Sequence, residues 1–231
     1  MDTTILFLTT NELPADWTAY HKKVLLEATK DFPVITMSMK PMGLDGAGMN
    51  VLQDEPKSMS NIYWQILRGA KIATTKYIAI AEDDTLYPRE HFLHVPKPGT
   101  FAYNMNHWSL FTWKYEAHPE PTYSWRNRKG NYTMIAERKL VIEALEERFK
   151  KYPNGTPDKI TGEMGRAMVE RNLGITLRES SEFYTTISII NFNHEGGTDD
   201  LQQRRRKRLG YIRAYDIPFW GKSADLVKKF K

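Results

Sequence analysis

The sequence contains no cysteine. That excludes disulfides, thiolate metal centres, iron–sulfur clusters and cysteine nucleophiles. It also lacks any apolar run approaching the 18 or more residues that a membrane span needs. The opening Met1-Asp2-Thr3-Thr4-Ile5 carries an acid where a secretory signal carries base, and the apolar run behind it is only a few residues long. Internal repeats and low-complexity linkers are missing as well, which argues against repeat arrays and tethered modules. The expectation from these absences is a soluble, cytoplasmic protein. What remains is globular in character: 231 residues, 41% hydrophobic and 26% charged, enough to bury one substantial core.

Charge is unevenly placed. The net charge is +5, but residues 199–231 hold ten Lys or Arg against four Asp, and residues 1–198 hold 23 basic against 24 acidic residues. The reading is a nearly neutral domain over 1–198 with a basic, aromatic C-terminal extension over 199–231. Arg204, Arg205, Arg206, Lys207 and Arg208 form its core, followed by Tyr211, Tyr215, Phe219 and Trp220. Such a segment suits an anionic partner, nucleic acid or an acidic membrane; it is equally what a solvated, charged helix face looks like.

Hydrophobic patterning gives the fold class. Ile5-Leu6-Phe7-Leu8, Val34 to Met39 and Lys76 to Ala81 read as strands, the first and last as continuous apolar runs buried on both faces. Trp17 to Lys30 and Ser58 to Thr74 read as helices, the second with Ile62, Gln65-Ile66, Gly69-Ala70 and Ala73 on one stripe. Strand, helix, strand, helix, strand implies an α/β fold with a mainly parallel sheet flanked by helices. Further on, Thr100 to Trp113 is strand-like, Ala136 to Lys151 and Gly162 to Asn172 are helical, and Ile175 to Phe192 holds two more strand-like stretches.

Ligands of parallel sheets bind at the carboxyl ends of the strands. Thr10, Asn11 and Lys40 lie there, and so does the trio Glu82-Asp83-Asp84. Three consecutive carboxylates repel one another, and a divalent cation with a taste for hard oxygen ligands, Mg²⁺ or Mn²⁺, offsets that repulsion directly. The other reading of the same residues is a solvated turn in which an Asp caps the next segment.

An apolar strand, Glu-Asp-Asp and then Thr-Leu-Tyr-Pro resembles the DxD-type motif of GT-A glycosyltransferases. The lead-in, Asn61, Arg68-Gly69-Ala70 and Tyr77-Ile78-Ala79-Ile80, is similar too, and the likeness extends over roughly residues 3–197. It implies a GT-A fold and a metal-dependent transfer of a sugar from a nucleotide diphosphate sugar, with UDP as the expected nucleotide. In the family the last acid of the trio binds the metal, which points to Asp84, while Glu82 and Asp83 take places beside the nucleotide. Glu82 stands where the family more often has Asp, which leaves open which of the first two acids meets the ribose. A late metal-binding His beside glycines is common in the family, and His194, before Glu195-Gly196-Gly197, is the match; a packed or surface histidine is the alternative. Inverting members carry an acid near a helix start that takes the acceptor proton. Glu163 in Thr161-Gly162-Glu163-Met164-Gly165-Arg166 fits, with Asp158 in reserve; Glu163 could instead complement a helix dipole.

The resemblance further implies that Thr10, Asn11 and Lys40 border the base and ribose, with Lys40, Lys57 and Arg68 as phosphate contacts. Gly130 to Met134 would form a binding turn before a helix, and Trp113, Tyr123 and Trp125 could stack on a sugar or base; the alternatives are that these aromatics belong to the core and that Lys57 and Arg68 are exposed helix residues. The small chain with its basic aromatic tail also resembles phage-type enzymes that glycosylate hydroxymethylated pyrimidines in DNA, which would act in the host cytoplasm. A surface glycan or lipid-linked acceptor is the alternative. Two other classes stay in view: a non-enzymatic nucleic-acid-binding module, and a metal-dependent nucleotidyltransferase. The latter usually shows a glycine–serine phosphate loop, and the chain has no clear one.

Overall fold

The computed structural model describes residues 1–44, 48–112, 120–157, 160, 162–194, 210 and 212–231. Trp113, Asp158, Tyr211 and the basic run Arg204 to Arg208 therefore lie outside the described residues.

A seven-stranded sheet forms the centre. It is built from β1 (Thr3–Thr9), β2 (Val34–Ser38), β3 (Met49–Leu52), β4 (Tyr77–Glu82), β6 (Thr100–Asn104), β9 (Met134–Glu137) and β10 (Glu179–Phe183). Their order is β10-β6-β9-β4-β1-β2-β3, with only β9 antiparallel to its neighbours. The mainly parallel α/β sheet expected from the sequence is thus present.

Strand alternation divides what lies above and below it. Leu6, Leu8, Ile78 and Ile80 pack against α2 (Met59–Ile72) and α4 (Arg138–Lys151). Ile5, Phe7, Ala79 and Ala81 face the other way, with Leu25 and Ala28 of α1 (Ala15–Thr29). Helix α2 starts where Ser58 accepts a hydrogen bond from the Asn61 amide and ends where Ala73 turns extended. Gly69 brings α2 close to β1: a methyl added there would meet the Leu6 side chain at 2.9 Å.

A second sheet comprises β5 (Thr85–Leu86), β7 (His107–Phe111), β8 (Tyr123–Trp125), β11 (Ile189–Asn193) and β12 (Arg213–Ala214). Their order is β12-β8-β7-β11-β5. The short helices are α3 (Arg89–Phe92) and α5 (Ala167–Leu173). No described helix is long and apolar enough to cross a membrane.

Three local expectations are corrected. The helix expected over 162–172 begins only at Ala167, because Gly162 and Gly165 take φ of 151° and 72°, values foreign to a right-handed helix. Glu163 therefore sits in the preceding loop and not in a first helical turn. Ala136 and Glu137 close strand β9 before α4 begins, so the Gly130 to Met134 turn leads into a strand, through a single 3-10 turn. Tyr123 is fully buried, with its hydroxyl donating to the Gly221 carbonyl, and belongs to the core rather than to a sugar platform.

The C-terminal residues fold back onto the domain. A hairpin of β13 (Asp216–Ile217) and β14 (Gly221–Lys222) leads into α6 (Ser223–Phe230). Leu226, Val227 and Phe230 join Trp17, Leu110 and Phe192 in one buried cluster. The Phe230 ring stacks on Phe192 at 4.7 Å and meets Trp17 at the same distance. Truncating a buried aromatic ring of this kind costs about 3–5 kcal/mol. Phe230→Ala is accordingly expected to lower stability by that amount, read as a fall in the urea midpoint at unchanged slope.

Candidate active site

The strand ends meet at one level. Leu8 lies opposite both Met37 and Glu82, and Thr9 opposite Ser38. Above them opens a cleft of about 540 Å³. Thr10, Glu12, Lys57, Gln65, Glu82, Asp83, Asp84, His194, Phe230 and Lys231 are on its walls. A smaller cavity of about 250 Å³, lined by Phe7, Asn11, His21, Pro41 and Met42, shares Thr9 and Asp83 with the cleft.

The three acids have three different environments. Glu82 continues the Ile78, Ile80 side of β4 toward α2. Burial raises its pKa well above the usual carboxylate value, and the charges of Asp84, Asp83 and Glu163 add to the effect. Asp83 has the opposite orientation: it accepts a short hydrogen bond from the Thr9 hydroxyl, while its carbonyl accepts from the Trp17 indole at 2.8 Å. Burial and then the Asp84 charge push its pKa up to about 7, against the pull of Thr9, His194 and Lys57.

Asp84 is tied down through the second sheet. Its Oδ1 accepts from Thr85 Oγ1 at 2.9 Å and from Asn191 Nδ2 at 3.1 Å, and its carbonyl accepts from the Phe192 amide. The pairing of β11 with β5 sets Asn191 opposite Thr85, so the chain emerging from β11 carries His194 to Asp84. His194 Nε2 lies 3.5 Å from Asp84 Oδ2. That spacing is long for a hydrogen bond and about half an ångström wider than the roughly 3 Å between adjacent ligands of an octahedral ion with bonds of about 2.1 Å, so a small approach of the two side chains would bring both onto one ion. Among the described residues no group of three or more His, Asp or Glu could hold a metal. A cation placed between these two side chains would take its other ligands from water and substrate oxygens.

The remaining residues divide. Thr10 reaches the cleft, and Asn11, at φ 58°, lines the smaller cavity. Its side-chain oxygen accepts from the Met39 and Lys40 amides at 3.0 and 2.9 Å, which locks the end of β1 to the end of β2. The exposed Lys40 lines neither cavity. Arg68 is turned away, paired with Glu55 and bonded to Gln53. Lys57 is on the cleft wall and pairs with Glu12 at 2.8 Å, which holds the Glu12 carboxyl below the usual range.

Glu163 is not on the wall, yet its charge is felt at Glu82, and its side chain is 17% exposed, with an Arg166 partner at 2.6 Å. Its loop is anchored on both sides: Tyr63 donates to the Gly162 carbonyl at 2.6 Å and Tyr103 to that of Met164 at 2.7 Å.

Sequence reasoning missed Thr9, Asn191 and the role of Phe230. Asn191 had a readable signal, a polar residue inside the apolar Ile189 to Phe192 run. Phe230 and Lys231 belong to a segment read as an extension, and nothing local in the sequence marks their return to the cleft.

No protein-family model matches the sequence, and no curated protein is similar to it. Several solved structures have a related backbone. One is 2-C-methyl-D-erythritol 4-phosphate cytidylyltransferase from Thermus thermophilus, with TM-score 0.48 and 13% identity over 84% of this chain and 94% of that one. Another is a glycosyltransferase involved in glycosylation of the major capsid of PBCV-1, with TM-score 0.45 and 12% identity over 83% of this chain and 93% of that one. A third is a mannosyltransferase from Pyrobaculum calidifontis in complex with GDP-Man and Mn²⁺, with TM-score 0.42 and 12% identity over 83% of this chain and 56% of that one. Likenesses this distant do not carry function, which has to be read from the residues of the cleft.

Proposed function

We propose that the protein is a metal-dependent glycosyltransferase that moves a sugar from a nucleotide diphosphate sugar to a hydroxyl acceptor. The observation that carries this reading is the meeting of Asp84 and His194 at the carboxyl end of a central parallel strand, in a cleft that also holds Lys57 and Lys231. Two ligands from the protein, with the rest of the shell open, suit Mn²⁺ or Mg²⁺ bound together with a diphosphate. Such an ion supplies positive charge to the leaving diphosphate. The smaller cavity takes the nucleobase, where Phe7 and Met42 offer apolar contact and Asn11 a side-chain amide.

Glu163 is the proposed base. It removes the proton from the acceptor hydroxyl as the oxygen forms its bond to the anomeric carbon. The bond from that carbon to the diphosphate oxygen breaks, and its electron pair leaves with the diphosphate. Attack opposite the leaving group inverts the anomeric centre. Asp158 is the reserve base.

The acceptor proposed is a hydroxymethylated pyrimidine in DNA, supported by the run Arg204 to Arg208. A lipid-linked acceptor is the second reading, favoured by Ile212, Tyr215 and Phe219, each more than half exposed, near Arg213 and Lys222. Replacing all five residues from Arg204 to Arg208 with Ser separates the two. On the DNA reading, the variant binds DNA more weakly and its salt slope flattens by about 0.9 for each phosphate it no longer neutralises. An unchanged slope, with release of the nucleoside diphosphate stimulated by lipid and not by 5-hydroxymethylcytosine DNA, would transfer the proposal to the lipid-linked acceptor.

A further inference from the structure

The cleft floor holds a polar side chain that the chemistry above does not use. Gln65 sits on the inward stripe of α2, is 5% exposed, and lines the cleft beside Leu8, Ile62 and Glu82. Its Oε1 has no hydrogen-bond partner among the described residues. A buried amide oxygen left without a partner is destabilising, and the neighbours Leu8 and Ile62 would receive a Leu or Met at this position without that cost.

Its position across the sheet says what it could meet. Asp83 and Thr9 share the smaller cavity on the α1 side. Gln65 lies on the α2 side, as do Leu8 and the strand face that Glu82 continues. Asp84 and His194 stand at the strand ends between the two. A nucleotide sugar with its base on the α1 side and its diphosphate at Asp84 and His194 extends its sugar toward Gln65. From this placement, and resting on the glycosyltransferase reading, we infer that Gln65 recognises a hydroxyl of the donor sugar and so helps to choose which sugar is transferred. A hydroxyl both donates and accepts, so it can satisfy either end of the amide. A donor lacking a hydroxyl at that point leaves the amide unpaired, which is how polar sites reject analogues.

The test is calorimetric titration of wild type, Gln65→Leu and Gln65→Met with Mn²⁺ present. The probes are UDP, GDP, UDP-glucose, UDP-galactose, UDP-N-acetylglucosamine and GDP-mannose. Both variants are expected to bind the nucleoside diphosphate within about twofold of wild type. They should lose about tenfold on the preferred nucleotide sugar and discriminate less between glucose and galactose. Their melting temperatures should equal or exceed that of wild type. Equal weakening for diphosphate and nucleotide sugar, no weakening for either, or a lowered melting temperature would overturn the role of Gln65 and leave the glycosyltransferase reading standing. A wild type that binds none of the six nucleotides would overturn both.

Discussion

Asp84→Asn is expected to lower metal-dependent turnover about 10³-fold or more while the protein melts at or above the wild-type temperature. The two halves of this result have separate causes. An Asn at position 84 can still accept from Thr85 and Asn191, so the junction between the two sheets keeps its hydrogen bonds. What disappears is the charge, and with it one of the protein's two candidate metal ligands. That same charge raises the pKa values of Glu82 and Asp83, so its loss relieves a repulsion in the metal-free protein. With the Asp84 charge gone, the Asp83 pKa should fall below about 7 while burial, the larger cause, still holds it above the ordinary carboxylate range, which nuclear magnetic resonance titration can follow. Near-normal turnover in Asp84→Asn would remove Asp84 as a metal ligand. A large fall in melting temperature would instead make it a structural residue.

Glu163→Gln is expected to keep donor and metal affinity and to lose about 10²–10⁴-fold in kcat, the usual range for removal of a general base. The loop backbone is held by Tyr63 and Tyr103, not by the Glu163 side chain, so the substitution leaves its anchors in place. The side chain does bond Arg166, and Gln can retain one such hydrogen bond. The diagnostic measurement sets kcat against affinity: kcat should fall by that factor while the dissociation constants for donor and metal stay within about twofold of wild type. If the variant keeps its rate, Asp158 is the base to test next by the same substitution logic.

The main sheet was legible because its strands are buried on both faces. Ile5-Leu6-Phe7-Leu8 and Tyr77 to Ala81 are continuous apolar runs with no competing helical period, and the intervening α2 carries a strong stripe. The acid trio could be placed because a strand that runs straight into three carboxylates puts them at its carboxyl end. The start of α5 was not legible: the 162–172 segment has helix-forming composition, and it is the φ values at Gly162 and Gly165 that delay the helix. Arg68 looked like a phosphate contact from its place in the motif, but Glu55 and Gln53 sit on its side of α2, a neighbourhood set by long-range folding. The approach of His194 to Asp84 depends on the register of β11 against β5, some hundred residues apart in sequence. Local patterning carries no information about such a pairing, and only the family resemblance suggested it. The return of Phe230 and Lys231 to the cleft is of the same kind.

The central claim is that the cleft binds a divalent ion and a nucleotide diphosphate sugar together and breaks the bond between the sugar and the diphosphate. The most direct measurement is release of free UDP or GDP from a panel of nucleotide sugars, with Mn²⁺ or with chelator, alone and with 5-hydroxymethylcytosine DNA or a lipid-linked acceptor added. The account predicts release that requires the metal, is lost in Asp84→Asn, and rises when DNA is added. Release that persists in chelator, or no release from any donor with Mn²⁺ and both acceptor classes present, would contradict it.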